Sequence, residues 1–180
     1  DDKFNLNPAL KTFFLVLISF YVTLNDLRIS TLGSYNFLGD LYLGNFSIIF
    51  SLLCILFLTN AFNYNDGIDG LTIFTFWTSS FLIMTISKNN DVNTLLIYAN
   101  IILLVLFFFN MSIFNLPKTF LGDTGSLLLG FFYSLLMIYL NKFLKIEAIL
   151  LAWTVTYLVY EFLSTNIFRI FKKKKIIRGW

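Results

Sequence analysis

Between Leu58 and Phe74 the chain reads LTNAFNYNDGIDGLTIF, a knot of amide and carboxylate side chains between two apolar runs. Asn60, Asn63, Asp66 and Asp69 recur at offsets of three, which on a continuous helix places them along one stripe. Gly67 and Gly70 predict that the backbone opens within the cluster, where Asn and Asp readily cap a following helix. A capped loop accounts for one Asp and one Gly. Four spaced polar groups favour a binding site. A second stretch, FLGDTGSLLLG, sets Asp123 between Gly122 and Gly125 just before an apolar run. Thr124 or Ser126 is placed to cap the next helix, whose exposed amides suit a phosphate. Asp1 and Asp2 stand ahead of another apolar run that begins near Pro8. Lys118 can meet a phosphate, although a loop lysine is more often simply solvated.

Carboxylates crowded into one site repel each other, and a divalent cation offsets that repulsion. Oxygen donors and a chain without histidine favour Mg²⁺ or Mn²⁺ over zinc. A Mg²⁺ ion held by few protein oxygens keeps positions for substrate phosphates. An anionic substrate can then approach an otherwise acidic cluster.

The elements that must position these groups are membrane helices. The chain is 58% hydrophobic and 13% charged, with a mean hydropathy of +0.79, more apolar than a soluble domain of 180 residues tolerates. Leu41–Asn65, Thr72–Ser87, Val92–Pro117 and Thr124–Asn141 carry no Asp, Glu, Lys, Arg or His. Several approach the roughly 20 residues a helix needs to cross about 30 Å of hydrocarbon. Two less clean spans, Ala9–Leu24 and Ile149–Ile170, complete an expected all-α, polytopic integral membrane protein with about six transmembrane helices. Their expected spans are 10–24, 45–59, 71–87, 94–112, 125–141 and 147–168, within a single unit, 1–180, without internal repeats. Cys54 lies in an apolar run and fills space.

Charge placement orients the bundle. The run Lys172–Lys175 with Arg178 follows the last helix, where a juxtamembrane cytoplasmic role explains it better than nucleic-acid binding. Counting back, segments 1–9, 60–70, 113–124 and 169–180 share the cytoplasmic side. With membrane-edge residues included, that side holds nine of the 13 Lys and Arg. Segment 25–44 is external, with turn chemistry at Gly33 and Gly39 and room for a short amphipathic piece. All three acidic stretches therefore meet at one face. Glu161, inside an apolar run, is costly unless paired or near water, and Arg169 is two turns away, too far for a standard pair.

The quoted motifs, with DDK before them and NIFRI ahead of the basic loop, resemble the polyprenyl-phosphate N-acetylhexosamine-1-phosphate transferases. The resemblance covers almost the whole chain and is most specific at NAFNYNDGIDGL and FLGDTGS. It implies Mg²⁺-dependent transfer of a sugar-1-phosphate from a UDP-N-acetylhexosamine to polyprenyl (undecaprenyl) phosphate, with release of UMP, as the first step of lipid-linked envelope glycan synthesis. The pattern is nearer the UDP-N-acetylglucosamine branch than the phospho-N-acetylmuramoyl-pentapeptide branch. The resemblance makes Asp123 the principal metal ligand, with Asn63 sharing the ion. It sets Asp69 at the uracil, Phe120 stacked on that base, Asp66 near the nucleotide sugar and Asn60 organising the loop. Asp1 and Asp2 match the aspartate pair beside the acceptor phosphate. Glu161 takes the place of a family aspartate, with Arg169 in register. Direct attack by the acceptor and a covalent carboxylate intermediate both remain open. The implied location is the bacterial inner membrane, with the active site on the cytoplasmic face.

The family's helices before the aspartate pair and its histidine-bearing loop after the basic region are absent here, and are expected in the full polypeptide. The polar loop FNLPKTFLGD is shorter between Asn115 and Pro117 than the family spacing, so Asn115 carries little weight. The phenylalanine-rich faces can meet lipid or a second copy in a homodimer. The competing class is an ion-coupled transporter, which predicts polar groups near the midplane and paired repeats. A noncatalytic fragment that stabilises a larger assembly is a third reading, and leaves the Asn60–Asp69 cluster without a role.

Overall fold

A computed structural model describes residues 7–37 and 39–172. Asp1, Asp2 and the basic residues Lys173, Lys174, Lys175 and Arg178 lie outside the described residues. Among the described residues seven α-helices and one hairpin follow in order: α1 Pro8–Leu24, β1 Thr31–Tyr35, β2 Gly39–Tyr42, α2 Ser47–Asn65, α3 Leu71–Ser87, α4 Asn90–Asn110, α5 Gly122–Leu144, α6 Ala148–Thr154 and α7 Thr156–Phe171, with short 3-10 turns at Gly44–Phe46 and Ile113–Asn115. The arrangement is mostly helical and spans a membrane several times. By length and composition, three helices of the described residues suffice to cross: Gly44–Asn65, Asn90–Asn110 and Gly122–Leu144. The pair α6 and α7 makes a fourth if the two count as one bent span. The expected six crossings are thus not all of full length. α1 and α3 have 17 residues each, about 25 Å of helix.

Local chemistry sets the helix ends. Asn7 caps α1 by accepting the Ala9 N–H at 3.1 Å, and Pro8 follows where its missing N–H costs nothing. Asn89 caps α4 through the Val92 N–H at 3.0 Å. α2 runs on to Asn65, beyond the expected end at 59, so Asn60 and Asn63 are helical rather than loop residues. α3 begins after Gly70, whose φ of +72° is left-handed and suits glycine.

Two features correct the sequence-based expectation. The all-α class gives way to a mostly helical one, because part of segment 25–44 folds back as the antiparallel pair β1–β2. That hairpin is tied to the bundle: the Ile29 N–H donates to Ser51 Oγ at 2.7 Å, Ser47 Oγ donates to the Ile29 carbonyl at 2.5 Å, and Asn141 donates to the Thr31 carbonyl at 3.2 Å. Secondly, the single helix expected over 147–168 is broken at Val155, with a bend of 70° between α6 and α7. Neither proline nor glycine causes the break. At the break the carbonyl of Thr154, the last residue of α6, accepts from Ser79 Oγ on α3 at 2.7 Å.

The packing centre is the pair α2 and α5. Gly130 lets them approach so closely that an added Cβ would lie 2.7 Å from Thr59 Cα and 3.0 Å from Phe62 Cβ. Beside this crossing Phe62, Phe76 and Tyr133 are fully buried, with ring centroids 5.6 to 6.4 Å apart in tilted and edge-on contacts.

Candidate functional site

The helix ends alternate so that the polar motifs gather at one end of the bundle. The hairpin touches the N-terminus of α2 and the C-terminus of α5 at the other end. At the polar end Ser126 Oγ of α5 donates to Asn63 Oδ1 of α2 at 2.7 Å, and Lys11 Nζ of α1 donates to Asp123 Oδ2 at 2.6 Å. Arg169, at the end of α7, lies over the Tyr64 ring at 5.1 Å from its centroid. Four separate helices thus contribute to one cluster.

Asp66 caps the C-terminus of α2 and accepts the Gly122 N–H at the start of α5. Burial raises its carboxyl to about 6, aided by the neighbouring Asp123 charge and opposed by the Gly122 hydrogen bond. Ser126 does not cap α5 as expected, but bonds back to the Gly122 carbonyl at 2.9 Å and across to Asn63. No side chain caps that helix.

Beside this cluster opens a cavity of about 1190 Å³. Lys11, Asn60, Asn63, Asp66, Asp123 and Arg169 face it at the polar end. From there the lining passes through Leu53, Cys54, Phe57 and Leu127 to Ile138 and Ile29 beneath the hairpin. Asn60 also donates to the Leu56 carbonyl of its own helix at 2.7 Å.

Asp69, Lys118 and Phe120 do not line this cavity. They form a second cluster, in which Lys118 Nζ donates to Asp69 Oδ2 at 2.5 Å and lies 5.0 Å from the Phe120 ring centroid. Both members of the pair are nearly half exposed. The turn 66–69 joins the two clusters, since Asp66 faces the cavity and Asp69 faces Lys118.

Among the described residues no three His, Cys, Asp or Glu side chains converge as a ready metal cage. The donors at the mouth are two carboxylates, Asp66 and Asp123, close enough for one charge to raise the other's pKa, and the Asn63 carboxamide. This open, all-oxygen set fits Mg²⁺, which takes few protein ligands and keeps positions for phosphates. Asp1 and Asp2, expected beside the acceptor, lie outside the described residues.

Lys11 was missed as a site residue from sequence, because it reads as one lysine near the start of an apolar span. Arg169, read from sequence as a cytoplasmic cation two turns from Glu161 and in register with the family, lies against Tyr64, the residue after Asn63, a contact that no helical spacing within α7 could reveal.

The Glycosyl transferase family 4 profile matches residues 1–141. The chain is 33% identical over 100 residues to the phospho-N-acetylmuramoyl-pentapeptide-transferase of Fervidobacterium nodosum, covering 54% of this chain and 31% of that protein. It is 39% identical over 105 residues to the protein of that name from Lactococcus lactis subsp. cremoris, covering 54% and 30%. A probable undecaprenyl-phosphate N-acetylglucosaminyl 1-phosphate transferase of Bacillus subtilis is 29% identical over 143 residues, covering 76% and 38%. The chain spans about a third of the length of these curated relatives. No solved structure matches it significantly. With the profile spanning both polar motifs and most of the helical bundle, this chain belongs to glycosyl transferase family 4.

Proposed function

We propose that this chain is part of a membrane transferase that moves a sugar-1-phosphate from a UDP-N-acetylhexosamine to polyprenyl phosphate and releases UMP. The observation that carries this reading is the apposition of Asn63, Asp66 and Asp123 at the polar mouth of a long apolar cavity. A polyprenyl phosphate has the matching shape, a charged head on a long apolar tail. Lys11 and Arg169 bring positive charge to the mouth, where the head would sit. Asp69, Lys118 and Phe120 offer a carboxylate acceptor, a cation and an aromatic face to a nucleobase.

In direct transfer an oxygen of the acceptor phosphate attacks the sugar-bearing phosphorus of the donor. The bond from that phosphorus to the bridging oxygen breaks, and UMP leaves with the oxygen. Asp123 and Asn63 would hold Mg²⁺, with Asp66 beside them. The ion, when bound, supplies neutralising charge for the diphosphate and the departing UMP. The chain's own groups orient the two phosphates in line. Asp1 and Asp2 are assigned to the acceptor phosphate on the family resemblance alone.

We count six crossings, with α1 and α3 as short spans, and take the basic run after the last helix as cytoplasmic. That orientation would set the mouth on the cytoplasmic face of a bacterial inner membrane. A midplane ion site of the kind a transporter uses has no counterpart in this cluster at the helix ends. The relatives named as pentapeptide transferases reach 39% identity, against 29% for the N-acetylglucosaminyl relative, which covers more of this chain. We therefore favour the muramoyl-pentapeptide donor over the UDP-N-acetylglucosamine expected from sequence. A panel of labelled UDP-sugars, offered with undecaprenyl phosphate and Mg²⁺ to the complete polypeptide, tests both points. The expected result is labelled lipid from UDP-N-acetylmuramoyl-pentapeptide. Labelled lipid from UDP-N-acetylglucosamine alone reverses the donor choice, and none from any donor overturns the function.

A further inference from the structure

We infer that Asn110 is a positioning residue for the nucleotide end of the donor site, holding together the two loops that carry Asp69 and Lys118. The inference rests on the donor reading above and adds a residue that is part of neither motif. Asn110 ends α4 and is only 4% exposed. Its Oδ1 accepts the Gly70 N–H at 2.5 Å, and its Nδ2 donates to the Thr119 carbonyl at 3.1 Å. One buried carboxamide thus engages the residue after Asp69 and the residue between Lys118 and Phe120.

The surroundings leave little slack. Gly70 is left-handed at φ +72°, and a Cβ there would lie 3.1 Å from Met111 Sδ and 3.2 Å from Phe107. The Thr119 N–H donates to the Phe109 carbonyl at 3.3 Å, so the second loop is tied to the end of α4 twice. The Asp69–Lys118 pair, nearly half exposed, is too weakly coupled to align two loops by itself. A buried amide with both polar atoms bonded can, because releasing it leaves two backbone groups without partners. The Asp69, Lys118 and Phe120 side chains then stand at fixed separations before a nucleotide arrives, which lowers the ordering cost of binding.

The test uses the complete polypeptide in bilayer vesicles, with Asn110→Ala, Asn110→Asp and the same changes combined with Lys118→Met. Donor KM, undecaprenyl phosphate KM and UMP affinity are measured for each. Asn110→Ala loses both hydrogen bonds, and the expected result is a donor KM raised about tenfold. UMP binding weakens in parallel, and the undecaprenyl phosphate KM is unchanged. Asn110→Asp keeps the acceptor for Gly70 and loses the donor to Thr119, so its effect is smaller but in the same direction. It carries the test if the alanine variant does not accumulate. In the Lys118→Met background the Asn110 changes add less than about twofold, because the pair they align is already broken. A loss shared equally by both substrates, an unchanged donor KM, or the full increase on top of Lys118→Met overturns the inference. No turnover by the unaltered protein with any UDP-sugar overturns the donor reading, and this inference with it.

Discussion

Replacing Gly130 by alanine puts a methyl group where α2 and α5 have no room for one. Its Cβ would sit 2.7 Å from Thr59 Cα and 3.1 Å from the Thr59 carbonyl oxygen, both backbone atoms that no rotamer change can move. Restoring ordinary contact at 3.4 Å requires the two helices to part by about 0.7 Å. One turn away along each helix, Ser126 Oγ and Asn63 Oδ1 are 2.7 Å apart, and the same displacement takes them to the edge of hydrogen bonding. Overpacking of this kind costs about 1–3 kcal/mol. Misplacing reacting groups by up to 1 Å can slow transfer by about 100-fold. Thermal unfolding in detergent reads the first effect and sugar-1-phosphate transfer in vesicles reads the second. We expect Gly130→Ala to lower both, and turnover to fall by more than the folded fraction does. A variant with unchanged melting temperature and turnover would refute the packing argument, and with it the coupling of Gly130 to the site.

Asp123→Asn should abolish Mg²⁺-dependent labelled-lipid formation while the protein still inserts, as checked by detergent extraction and size-exclusion profile; undiminished turnover refutes the assignment. Lys118→Met breaks a half-exposed pair, so it should leave stability within about 1 kcal/mol and raise the donor KM, read by calorimetry and steady-state kinetics. Ser79→Ala removes the donor to the Thr154 carbonyl at the α6–α7 break, and should cost about 0.5–1.5 kcal/mol. Spin labels at the exposed positions Trp153 and Leu163 should then report a broader distance distribution across the bend.

Much of the membrane character and most of the polar cluster were legible in the sequence, because uncharged runs and Asn/Asp spacing are local signals. Asn60, Asn63, Asp66 and Asp123 come together at one cavity mouth, as a common helix-end face requires. Their division from Asp69, Lys118 and Phe120 was not legible, since it depends on where α2 stops and which way the 66–70 turn faces. The hairpin escaped because its strands are only five and four residues long. Its real anchors are Ser47, Ser51 and Asn141, buried polar residues on distant helices. The break at Val155 escaped for a related reason: the group that satisfies the Thr154 carbonyl there is a hydroxyl from α3, and Ala148–Phe171 holds no proline or glycine. Lys11 and Asn110 are single polar residues, Lys11 with a partner 112 residues away and Asn110 with partners 40 and 9 residues away on two different loops. No periodicity marks them.

The most direct test is side-specific labelling in sealed, oriented vesicles with an impermeant maleimide, in a Cys54→Ala background. Asp69→Cys and Asp123→Cys, both substantially exposed, should react from the same side, and Phe37→Cys, at the fully exposed hairpin tip, from the other. Labelling of Asp69→Cys and Asp123→Cys from opposite sides would contradict a single site built from both loops.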